Sequence, residues 1–207
     1  MPAKWMPPIL LVCMLLAVTT GARAFAAVRT AREPLVRRTT IFYELRAPSL
    51  TELVAEFRTV AGRGDVPVRY GLTKWDIRLD PSPNRGTRTS CAPDRVTLSV
   101  ALTTVLPKAV RLAEFSQEDA TEWRRFTHAL VRHEAQHDSI VIDQATTFLR
   151  AVERDADGAR APRSIMQCVT TLLERIEHAS NTFDALTQHG RNEGAALIAR
   201  GSTPPGP

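Results

Sequence analysis

Strand-like segments in the first half of the chain and long helical stretches in the second predict an α+β domain. Two observations carry that expectation. Segments of alternating polarity precede residue 107, and apolar residues recur at three- and four-residue spacing after residue 116. A third feature, His133-Glu134-Ala135-Gln136-His137, falls inside the longest helical stretch. At 207 residues the chain suits one domain with a sizeable core.

Residues 1–24 read as an export signal. Lys4 supplies the positive start, residues 8–18 form a Leu-rich apolar run, and Ala22-Arg23-Ala24 offers a small-x-small cleavage pattern. The run is short for a transmembrane span, which takes about 20 apolar residues; an uncleaved N-terminal anchor is the alternative. The expectation is an exported protein, periplasmic or secreted, with no stable membrane span once the signal is removed. Residues 25–38 are basic, lack periodicity and read as a linker.

Residues 39–46 alternate β-branched and aromatic side chains and predict a strand. Ser49 opens a helix with an apolar stripe of Leu50, Leu53, Val54, Phe57 and Val60, and Glu52 stands three residues after the cap. Gly62 and Gly64 end it. Residues 73–79 alternate again, with Trp75, Ile77 and Leu79 on one face. Residues 81–93 are a loop, and 95–106 form the longest strand candidate, which Pro107 stops. The strands together predict a small antiparallel sheet packed on long helices.

Ser116 caps the second helix, with Glu118 and Asp119 in its first turn, and the pattern runs to about Arg154. Residues 155–162 break it, residues 163–186 form a third helix, and the tail 201–207 reads as disordered. The folded domain is therefore expected over residues 39–200.

The net charge of +5 falls by two on removal of Lys4 and Arg23, and the arginines are scattered. Pairs such as Arg37-Arg38 and Arg124-Arg125 read as solvated faces rather than a nucleic-acid groove, so no nucleic-acid partner is expected. After cleavage, Cys91 and Cys168 remain. In an oxidising compartment two cysteines point to one disulfide, with separate buried thiols as the alternative. Oligomeric state leaves no trace in the sequence.

The His-Glu-x-x-His motif carries a mechanism. Histidines four apart lie about 40° apart around a helix, so His133 and His137 can hold one metal ion, usually zinc. Glu134 can then work on water as a general base. A shuffle of this composition yields the motif in roughly one chain in a hundred. Trp123, Phe126, Leu130, Val141, Phe148 and Val152 recur on the same side and bring the motif near a buried face. Catalytic zinc takes three protein ligands. Asp143 stands where an extended motif would put its last ligand, but position 140 is Ile rather than the turning Gly, and a continuing helix points Asp143 away. Glu174 or Glu177, beside His178 on the third helix, and His189, just past its end and before Gly190, remain candidates.

The residues Trp75-x-Ile77, the Cys91-led strand ending in Leu106-Pro107, and Trp123 ahead of the metal helix continue into Cys168 and a closing segment, Phe183-Asp184-x-x-Thr187-x-His189-Gly190-x-x-Glu193-Gly194-Ala195. This set resembles a bacterial family catalogued as a domain of unknown function and labelled a secreted zinc-dependent protease. The resemblance covers most of the chain after the signal. It implies a zincin-like fold whose central helix carries the motif, His189 as third zinc ligand, and a Cys91–Cys168 disulfide. This chain has Phe183 where the family pattern has Tyr, and Glu193 where it has Gln, so an oxyanion donor is in question.

The resulting expectation is a zinc peptidase acting on a peptide or protein substrate. Zn2+ sits on His133, His137 and His189, Glu134 is the general base, and Asp184 orients a ligand. The strand 95–106 offers an open edge to an extended peptide, and Tyr43, Tyr70 and His178 are the candidate oxyanion donors. The rivals are a catalytically impaired metal- or peptide-binding envelope protein and an amidase acting on cell-wall peptides.

Overall fold

A stretch of 41 residues without Gly or Pro makes the dominant element, α2 (Gln117–Asp157), about 60 Å long at 1.5 Å per residue. The computed structural model describes residues 33–61, 70–81, 96–157 and 164–198. In chain order these form β1 (Leu35–Leu45), α1 (Leu50–Ala61), β2 (Leu72–Pro81), β3 (Val96–Ala109), α2 and α3 (Ile165–Thr187). Single 3-10 turns lie at Leu112–Glu114 and Arg191–Glu193. The described residues belong to one compact unit, of class α+β.

The sheet is mixed rather than antiparallel. Its strand order is β1-β3-β2, with β1 parallel and β2 antiparallel to β3. The reason is insertion: β2 reverses the direction of β1, β3 reverses it again, and β3 then lies between the two. The strand expected to offer an edge is therefore the central one. Pro107 does not end it, because β2 stops opposite Val105 and leaves β3 one open side at Pro107, which pairs only with Tyr43 of β1. A residue without an N–H is tolerated there.

The expected linker 25–38 also ends earlier than expected. Leu35 to Arg38 belong to β1, in register with Ser99 to Leu102. Most of β1 is solvent-exposed, so this edge strand has little of the burial alternation that would reveal it. Arg38 faces Asp138 of α2 at 3.6 Å.

The helix starts follow their caps. Ser49 Oγ accepts from Glu52 N at 3.4 Å, and Ser116 Oγ accepts from Asp119 N at 3.1 Å. Ser164 caps α3 in a reciprocal box with Gln167, a signal absent from the sequence reading. Two apolar clusters lie along α2. One joins Leu45, Leu53 and Phe57 to Trp123, Phe126 and Leu130. The other joins Leu98, Val100 and Leu102 to Val141, Phe148, Leu172 and Ile176. Cys168 is buried in the second cluster, while Cys91, the export segment 1–24 and the tail 201–207 lie outside the described residues. No helix among the described residues is long and apolar enough to cross a membrane.

Candidate metal centre

His133 and His137 fill the gap in α2's buried stripe between Leu130 and Val141. They are 4 % and 7 % exposed. Two imidazoles at core positions need polar partners, since burial without them is costly. α3 supplies those partners at its C-terminal end. Asp184 Oδ1 lies 3.1 Å from His137 Nε2 and 3.3 Å from His133 Nε2. Two ligand atoms each about 2.0–2.1 Å from a tetrahedral ion are separated by roughly 3.3 Å. The donor spacing therefore fits one cation held by His133, His137 and Asp184, whose candidate ligand atoms all lie within 4.8 Å of one another.

His189 stands one layer out. Its Nδ1 lies 3.3 Å from the other carboxylate oxygen of Asp184, and its side chain is 44 % exposed. Asp184 is thus the residue at the centre, touching all three histidines. Asp143, Glu174, Glu177 and His178 are all exposed, and none lines the cleft.

The chain reaches this geometry through an unusual helix end. Gln188 and His189 both adopt positive φ, 52° and 54°, and Gly190 follows at 81°. His189 N donates to Asp184 O at 2.8 Å, and Thr187 Oγ1 accepts from Gly190 N at 3.2 Å. Left-handed backbone at non-glycine residues is disfavoured and tends to cluster at functional sites. Gly190 is required for a second reason: a Cβ there would stand 2.9 Å from His133 Cγ. The His133 ring also stacks on Phe183, with centroids 4.9 Å apart and planes 21° apart.

Glu134 is also buried, at 4 % exposure. Its Oε2 accepts a hydrogen bond from Thr73 Oγ1 of β2 at 2.9 Å. Burial pushes its carboxyl above the usual range, while the Thr73 bond and nearby His133 pull it back. Sequence reading missed Thr73, although the signal was there: it shares the face of Trp75, Ile77 and Leu79 as the one polar member. Gly71, just before β2, gives Glu134 room, since a Cβ there would stand 2.5 Å from Oε1.

These residues line a cleft of about 150 Å³, bordered by Tyr70, Leu72, Thr73 and Trp75 on one side and Ser180, Asn181 and Asp184 on the other. The bordering strand, β2, is an outer strand of the sheet among the described residues. Of the three suggested oxyanion donors, Tyr70 alone lines the cleft; Tyr43 donates its hydroxyl to Tyr70 O at 2.7 Å, and His178 faces solvent.

A family model described as a bacterial protein of unknown function (DUF922) matches residues 40–190. The chain belongs to that family. The DUF922 match runs from β1 to Gly190 and takes in His133, Glu134, His137, Asp184 and His189, but not Glu193. No curated protein and no solved structure matches the chain.

Proposed function

We propose that this DUF922 member is an exported zinc-dependent peptidase of zincin-like design. The observation that carries the reading is the convergence of two buried histidines and a carboxylate beside a buried acid, Glu134, in a cleft bordered by an outer strand of the described sheet. His133 and His137 are two of the ligands, and the third comes from the Asp184–His189 pair. The family resemblance favours His189, and the distances favour Asp184. When bound, zinc supplies a Lewis acid that makes water nucleophilic near neutral pH.

The chain's own residues then divide the work. Glu134 accepts the proton of the attacking water and returns it to the leaving amine. Thr73 holds the Glu134 carboxylate toward β2. An extended peptide adds along β2, an outer strand of the sheet among the described residues, through main-chain hydrogen bonds. Tyr70, its ring wedged edge-on against Phe57 and Phe126, is the phenol available to the oxyanion. Burial raises its pKa and keeps the hydroxyl a donor. Export through residues 1–24 and a Cys91–Cys168 disulfide complete the reading.

The test is zinc content and turnover of an unstructured protein substrate. Wild type is expected to hold one zinc, and Glu134→Gln to keep it while losing about 10²–10⁴-fold in turnover. Of Asp184→Asn and His189→Ala, the variant that loses the metal identifies the third ligand. A zinc-free wild type at micromolar zinc contradicts the metal site; a zinc-loaded protein without turnover points to the envelope-binding alternative.

A further inference from the structure

Glu193 sits beyond the last main helix, three residues past the family match, and takes no part in the scheme above. Its Oε2 lies 2.8 Å from His133 Nδ1. That ring has other close neighbours. Phe183 stacks on one face, Gly190 stands so close that a Cβ there would come within 2.9 Å of Cγ and 3.1 Å of Nδ1, and Nε2 lies 3.3 Å from Asp184 Oδ1. These contacts hold the imidazole in its orientation, so what remains to be set is which nitrogen carries the proton.

We propose that Glu193 is a positioning residue that fixes His133 in the Nδ1–H form, leaving the Nε2 lone pair free to bind the metal; the proposal rests on the zinc reading above. Carboxylates accept only, and two of them face this ring; the Glu193 contact at 2.8 Å is a hydrogen bond, whereas the Asp184 oxygen lies farther from Nε2, at 3.3 Å, so the proton goes to Nδ1. Such carboxylate–histidine pairs orient the ring and make the ligand nitrogen more basic.

The backbone is built to hold Glu193 in place. Glu193 N and Ala195 N both donate to Gly190 O, at 3.0 and 2.9 Å. Arg125 of α2 donates to Gly194 O and Ala196 O, each at 2.7 Å. Glu122 secures Arg125 and accepts from Ile198 N at 3.1 Å. The helix that carries His133 thus also anchors the segment that carries its partner.

The experiment uses the mature protein in two measurements. Zinc affinity is read by competition with a chromogenic chelator, and the His133 tautomer by ring nitrogen shifts in the metal-free, 15N-labelled protein. Glu193→Ala is expected to weaken zinc about 10–100-fold and to abolish the Nδ1–H signature. Glu193→Gln, whose amide oxygen still accepts, is expected to retain the signature and fall between the two in affinity. Unchanged tautomer and unchanged affinity in Glu193→Ala overturn the proposal, as does an equal loss in both variants. A wild type that binds no zinc, while its tautomer still responds to Glu193, overturns the metal reading instead.

Discussion

Phe183, where the resemblance leads one to expect a tyrosine, packs its ring flat on His133 and edge-on to His137. That contact uses the ring and has no need of a hydroxyl, so a phenylalanine serves the histidine platform as well as a tyrosine would. Glu134 carries the clearest pH consequence. Its folded-state pKa is raised by burial in the metal-free protein. Between the ordinary carboxylate value and the raised one, the folded protein holds a proton that the unfolded chain has released. Stability from this group is complete below the unfolded pKa and is lost as pH rises through the folded value. Metal-free Glu134→Gln is therefore expected to melt above wild type at pH 7, with the gap closing toward pH 4. A pH-independent difference between the two melting temperatures would contradict this.

At the scale of elements, the site depends on one contact between sheet and helix. Thr73 Oγ1 of β2 lies 2.9 Å from Glu134 Oε2 and 3.3 Å from the Glu134 carbonyl. Thr73→Val keeps the shape but leaves a buried carboxylate oxygen without that donor. The expected cost is about 1–3 kcal/mol, read by urea denaturation. Zinc stoichiometry should stay unchanged, because Thr73 touches none of the ligands. Elements whose faces differ in burial were legible in the sequence: the stripe Trp123–Phe126–Leu130–Val141–Phe148 gives α2 its period, and Trp75, Ile77 and Leu79 give β2 its alternation. The first residues of β1 were not, because an edge strand exposed along most of its length shows little contrast. Nor was the direction of pairing, which depends on β3 entering between its predecessors.

On the scale of the whole molecule, the centre ties three separated parts of the chain together: α2, the end of α3, and the turn that follows. Zinc should then stabilise the fold as a unit. With free zinc at 100 times its Kd, linkage adds about 2.7 kcal/mol, or about 5–10 °C in Tm for a domain of this size. Differential scanning fluorimetry with and without chelator measures it, and His133→Ala is expected to remove the shift. A wild-type Tm indifferent to zinc would show that zinc does not bind the folded state in preference to the unfolded chain, and would contradict the metal centre.

The sequence by itself determined the class of fold and the helix that bears His133, Glu134 and His137. It could do so because helical period, caps and motif spacing are local properties of the chain. The tertiary structure decided the mixed sheet and the assignment of the cleft edge to β2. It also decided the central place of Asp184 and the contact of Glu193 with His133. Those follow from how α3 packs on α2 and how two left-handed residues turn the chain at Gln188 and His189. Distances of about 3 Å between groups some fifty residues apart are set by packing, and no local pattern encodes them.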